Sequence, residues 1–105
     1  MTNLNSDQIF SKLNNETALV QWQEVELFFA RGQMLQVEPS QDLVAVATSI
    51  AQDNKSQIEQ LMQTGQLAQA TAAWVKAHCV SDTQLWAVVV SPYLLVQLKN
   101  TDSST

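Results

Sequence analysis

"LWAVVVSPYLLVQL", residues 85–98, is the most apolar stretch of the chain, and its reading decides the fold. A helix that crosses a bilayer needs about 20 mostly apolar residues. This run is shorter, is broken by Ser91-Pro92 and is flanked by Asp82 and Lys99, so it does not read as a membrane span. "WAVVV" is rich in β-branched residues and reads as a buried strand. Ser91-Pro92 fits a turn between two strands. It also fits the N-cap and first position of a short final helix. "YLLVQL" is compatible with both, and its Val and Tyr favour a strand.

In an alternating strand, Trp86, Val88 and Val90 face one way and Leu85, Ala87 and Val89 the other. Both faces are apolar, so the strand must be covered on both sides. Its own helices or a second subunit could do this. In the second case Trp86, Val88 and Tyr93 are the candidate interface.

Upstream, helical patterns dominate. Ser6 suits an N-cap for a helix that places Ile9, Phe10 and Leu13 on one side, with Asn14-Asn15 as a possible break. Trp22, Val25, Phe28 and Phe29 form a second helix, with Glu24 and Glu26 early, Arg31 late and Gly32 past the end. Met34–Val37 reads as a short strand stopped by Pro39. Ser40 or Asp42 caps a third helix, whose apolar positions Leu43, Val46, Ala47, Ile50 and Ala51 fit the helical period. Asp53 or Asn54 caps a fourth, with Ile58, Leu61 and Met62 on its buried face, and Asn54 with Gln57 has the form of a capping box. A single kinked helix over 41–64 is the alternative. Past Gly65, a second glycine C-cap, Leu67, Thr71, Trp74, Val75 and His78 make a fifth amphipathic stretch.

The composition narrows the function classes. The 105 residues suffice for one domain, 1–105, with 1–5 and 99–105 as flexible tails. Hydrophobic residues at 46% against 14% charged mark a globular chain. A net charge of -5, with five basic residues scattered as Lys12, Arg31, Lys55, Lys76 and Lys99, provides no stripe for phosphate backbones or an anionic membrane. Nucleic acid and membrane are therefore not expected partners. "MTNLNSDQIF" does not read as a signal peptide, and the lone Cys79 excludes an internal disulfide, so a cytoplasmic location is expected.

Catalytic signatures are weak. His78 and Cys79 are sequence neighbours, and neighbours on a helix do not face each other. A helix-end histidine beside a buried cysteine is the simpler reading. One His and one Cys cannot complete a zinc site. Gly32 and Gly65 stand alone, so no phosphate-binding glycine loop exists. Glu24, Asp42 and Asp53 are the candidate polar site, with Trp22 as an aromatic companion. Along one continuous helix Asp42 and Asp53 would stand about 16 Å apart, too far to share a metal. Helix-end acid and cap roles account for both. No catalytic residue, metal or cofactor is assigned.

Three segments carry a resemblance: "KLNNETALVQW" at 12–22, "FFARGQMLQVEPSQDLVAVATSIAQDNK" at 28–55 and "LWAVVVSPYLLVQ" at 85–97. With them the chain resembles a small uncharacterised bacterial family, a domain of unknown function, from proteobacteria and cyanobacteria. The resemblance implies a compact cytoplasmic protein and carries over no reaction, ligand or site residue.

The expected fold is α+β, with four or five helices on a small, mainly antiparallel sheet of two or three strands at 34–37, 85–90 and 93–98. The expected function is a non-enzymatic interaction or adaptor protein that forms a homodimer or binds another protein. The alternative is a small ligand-binding protein or enzyme that uses carboxylates and aromatics.

Overall fold

A computed structural model describes residues 6–99. Apart from Lys99, the expected tails lie outside the described residues. In chain order the elements are α1 (Ser6–Glu16), β1 (Ala18–Gln21), α2 (Trp22–Ala30), β2 (Met34–Val37) and α3 (Leu43–Ala51). Then come α4 (Lys55–Gln63), β3 (Leu67–Gln69), α5 (Ala72–His78), β4 (Gln84–Val90) and β5 (Tyr93–Leu98). No helix among the described residues is long and apolar enough to cross a membrane.

The sheet corrects the sequence expectation. It has five strands in the order β1-β4-β5-β2-β3, and it is mixed because β2 and β5 run parallel. The chain is still α+β, but the sheet is five-stranded and mixed, not a mainly antiparallel sheet of two or three strands. Two strands were missed. β1 has four residues and β3 three, too few to show a period of two against the surrounding helical pattern. Long-range pairing defines them: Ala18 opposite Ala87, Leu19 opposite Trp86, and Leu67 opposite Val37. Leu67 is therefore a strand residue. The fifth helix starts only after Thr71, whose hydroxyl accepts from the Trp74 N–H at 3.1 Å.

The run at 85–98 is a hairpin. β4 and β5 pair antiparallel from Leu85 opposite Leu98 to Val90 opposite Tyr93, and the Ser91–Pro92 bond in the turn is cis. The alternation holds. Val88, Leu95, Leu35, Val37 and Leu67 pack under α1, α3 and α4, with Leu13, Val44, Val46, Ala47 and Leu61. Leu85, Ala87, Leu94, Val96 and Met34 pack against Trp22, Val25, Ala70 and Cys79 of the other face. The chain's own helices thus cover both faces of the hairpin's middle.

Local chemistry fixes the helix ends. The Asp42 carboxylate accepts from the backbone N–H groups of Val44 (3.0 Å) and Ala45 (3.3 Å) at the start of α3. Asp42→Ala is expected to cost about 0.5–2 kcal/mol, read as a lower denaturant midpoint at unchanged slope. At the end of α2, Gly32 takes a left-handed φ of 71°, and the N–H groups of Gly32 and Gln33 return to the carbonyls of Phe29 and Phe28. Asp53 does the same at the end of α3. At φ 55° it lets its own N–H and that of Asn54 reach the carbonyls of Ile50 and Ser49. A residue without glycine's freedom therefore fills a position that glycine normally takes. This break separates α3 from α4 and rules out a single helix over 41–64.

Candidate functional site

The end of the sheet that carries the β4–β5 turn is not filled by α3 and α4. A cleft of about 510 Å³ opens there. Its floor is apolar: Leu35 from β2, Val90 from β4, Ile50 from α3 and Ile58 from α4. Around it stand Met62, Asp53, Gln69, Ser91 and Tyr93, with the Gly32 backbone alongside. Met62 and Tyr93 are 47% and 40% exposed. Parity explains Tyr93. It lies on the same sheet face as Leu95, but beyond the stretch that α3 covers.

The polar groups are held by backbone structure. Asp53 is fixed by its left-handed cap, and its carboxylate makes no ion pair among the described residues. Ser91 belongs to the hairpin turn. The Gln69 amide donates to the Gly32 carbonyl at 3.1 Å, which ties the end of β3 to the loop before β2. Among the described lining residues Asp53 is the only charged one. The cleft thus combines an apolar floor, an aromatic ring, a thioether and one carboxylate. Such a volume and lining suit a small organic ligand.

The structure does not bring the candidate carboxylates together. Glu24 lies on α2, where its Oε2 accepts the Gln21 N–H at 2.8 Å. Asp42 caps the opposite end of α3 from Asp53 and borders a separate small depression of about 100 Å³. Trp22 is buried in the second core, 5.7 Å from the Phe29 ring. Of the candidate interface, Val88 is only 2% exposed and belongs to the first core. Trp86 and Tyr93 are partly exposed, but they stand at opposite ends of the hairpin. Trp86 sits opposite Gln97 and Leu19, whereas Tyr93 sits opposite Val90. The cleft therefore takes one residue, Asp53, from the polar set and one, Tyr93, from the interface set. Sequence reading did not assign Met62, Gln69 and Ser91 to any site. Each comes from a different element, and only the parallel β2–β5 pairing and the α3–α4 break bring them into one rim.

His78 and Cys79 are apart in environment. His78 is exposed, its ring 5.7 Å from Trp74, and it borders a shallow polar depression with Asp82 and Lys99. Cys79 is buried in the second core, and burial pushes its thiol pKa up. A raised pKa keeps the folded thiol protonated, while the unfolded thiol ionises first as pH rises. The stabilising contribution is therefore complete below the ordinary thiol range and is lost as pH climbs through it towards the folded value. Modification of Cys79 by an aromatic disulfide reagent is expected to be slower in the folded than in the unfolded protein at neutral pH. Equal rates would contradict the burial.

The model of a family described as "Protein of unknown function (DUF2288)" matches residues 8–98. The solution NMR structure of PA1075 from Pseudomonas aeruginosa is similar, with a TM-score of 0.80 and 35% identity over 100% of this chain and 96% of that one. No curated protein matches the chain significantly.

Proposed function

The chain belongs to this family of unknown function, and from that premise we propose that it is a cytoplasmic binding protein whose recognition site is the cleft at the turn end of the sheet. One observation carries the reading. An apolar floor made by four elements is rimmed by Met62, Tyr93 and the Asp53 carboxylate, all presented on fixed backbone. Binding, rather than catalysis, is favoured because Ser91 and Asp53 share the cleft with no hydrogen bond between them among the described residues, and His78 borders a different depression. A general base and a nucleophile need to meet within hydrogen-bond reach.

The test is amide chemical-shift mapping with 2-phenylethanol as a neutral aromatic probe. Saturable shifts clustered at 32–35, 50–53 and 90–93 are the expected result. Shifts spread over the surface, or centred elsewhere, would overturn the assignment.

A second reading, self-association or docking of another protein, is favoured by a specific pair. Leu19 and Trp86 are register partners on the edge strand and its neighbour, and they are 36% and 39% exposed. They share the sheet face of Val88, which α1 and α3 cover, but their own exposure leaves them partly uncovered. The pair alone is far smaller than the roughly 800 Å² per partner of a stable interface, so the edge of β1 would have to join it. Light scattering over a concentration range decides. A dimer that Trp86→Lys dissociates supports self-association, and a monomer at every concentration removes it.

A further inference from the structure

Resting on the cleft as the recognition site, we propose that its ligand is a small organic cation, an ammonium or guanidinium carried on an apolar or aromatic body. The charge pattern selects the sign. Asp53 is the only charged residue among the described lining. Arg31 and Lys55 flank Gly32 and Asp53 closely in sequence, yet neither lines the cleft. The Asp53 carboxylate makes no ion pair among the described residues, so its charge is available to a ligand.

The neighbouring groups add to the same preference. The half-exposed Tyr93 ring stands on the same rim, and aromatic faces attract ammonium and guanidinium groups. Met62 offers a polarisable thioether to the body of the ligand. Below them, the Ile50, Ile58 and Val90 side chains accept apolar bulk. An anion would meet Asp53 without a compensating cation, in a chain of net charge -5. The site therefore favours a cation at the rim and hydrocarbon beneath it.

Three near-isosteric probes separate charge from shape: 2-phenylethylammonium, 2-phenylethanol and phenylacetate. They are titrated at pH 7 and equal ionic strength, with amide shifts as the readout. The ammonium is expected to bind at the cleft about five-fold or more tighter than the alcohol, with phenylacetate weakest. Asp53→Asn is the matching variant, because asparagine tolerates the left-handed backbone. It should bring the ammonium and the alcohol to within about two-fold of each other while the alcohol's own affinity is retained. Three results would overturn the inference while the cleft stands: equal binding of ammonium and alcohol, tighter binding of phenylacetate, or a preference that survives in Asp53→Asn. If no probe perturbs the cleft, the site assignment fails together with the inference.

Discussion

Leu95→Ala is expected to cost about 2–5 kcal/mol and to lower the melting temperature by roughly 10 °C or more. Leu95 is fully buried and lies in β5, the middle strand of the sheet. It is paired with Val88 of β4 on one side and Leu35 of β2 on the other. Its side chain is thus walled by both neighbouring strands and by the helices above. Such a site cannot collapse around a deleted isobutyl group, which places the cost towards the upper part of the range. Since domains of this kind have about 5–15 kcal/mol in total, a large share of the stability rests on this residue. Urea unfolding checks it. A cost below about 1 kcal/mol would mean that β5 is not held between β4 and β2.

The second large effect is on the opposite face. Trp22→Ala is expected to cost about 3–5 kcal/mol. Trp22 opens α2, is 6% exposed, and packs with Val25, Leu85 and Ala87 in the second core. Its ring lies 5.7 Å from that of Phe29 at 58°, a tilted contact that adds to the area buried. The backbone N–H of Trp22 donates to the Thr83 carbonyl at 2.8 Å, and the substitution leaves that bond in place. The loss is therefore one of packing, and Trp22→Phe should recover most of it. A loss that phenylalanine does not reduce would point to the indole N–H instead of the ring.

These two residues also show how much of the fold was legible. Trp22 lies in a helix whose spacing, early acids and terminal Gly32 all agree, so its burial could be read directly. Two-sided burial is equally readable from the two apolar alternating sets, but it holds only for Leu85, Ala87 and Val88, while Trp86 and Val89 stay 39% and 50% exposed. The partner of Leu95 was not readable. Parallel pairing of β5 with β2 joins residues sixty positions apart, and a local period carries no information about such a contact. β1 and β3 are hidden for the same reason, being shorter than the window a period needs.

The site was less legible than the fold. Asp53 and Tyr93 were singled out, but for different reasons and in different sets. The sequence offers Asp53 or Asn54 as the cap of α4; Asn54 takes that role, and Asp53 closes α3 in a left-handed conformation beside the cleft. Parity places Val88 with Trp86 on one face of β4, and the candidate interface joins Tyr93 to them as a neighbouring aromatic. Parity does not say how far a covering helix reaches, and α3 reaches over Val88 but not over Tyr93.

The most direct test of the account uses bound 2-phenylethylammonium and intermolecular nuclear Overhauser effects between its ring protons and the protein methyl groups. Contacts to the Met62 methyl and to the methyls of Ile50 and Ile58 are expected. Contacts to Leu19 in their place, or none at saturating probe, would contradict the cleft as the recognition site.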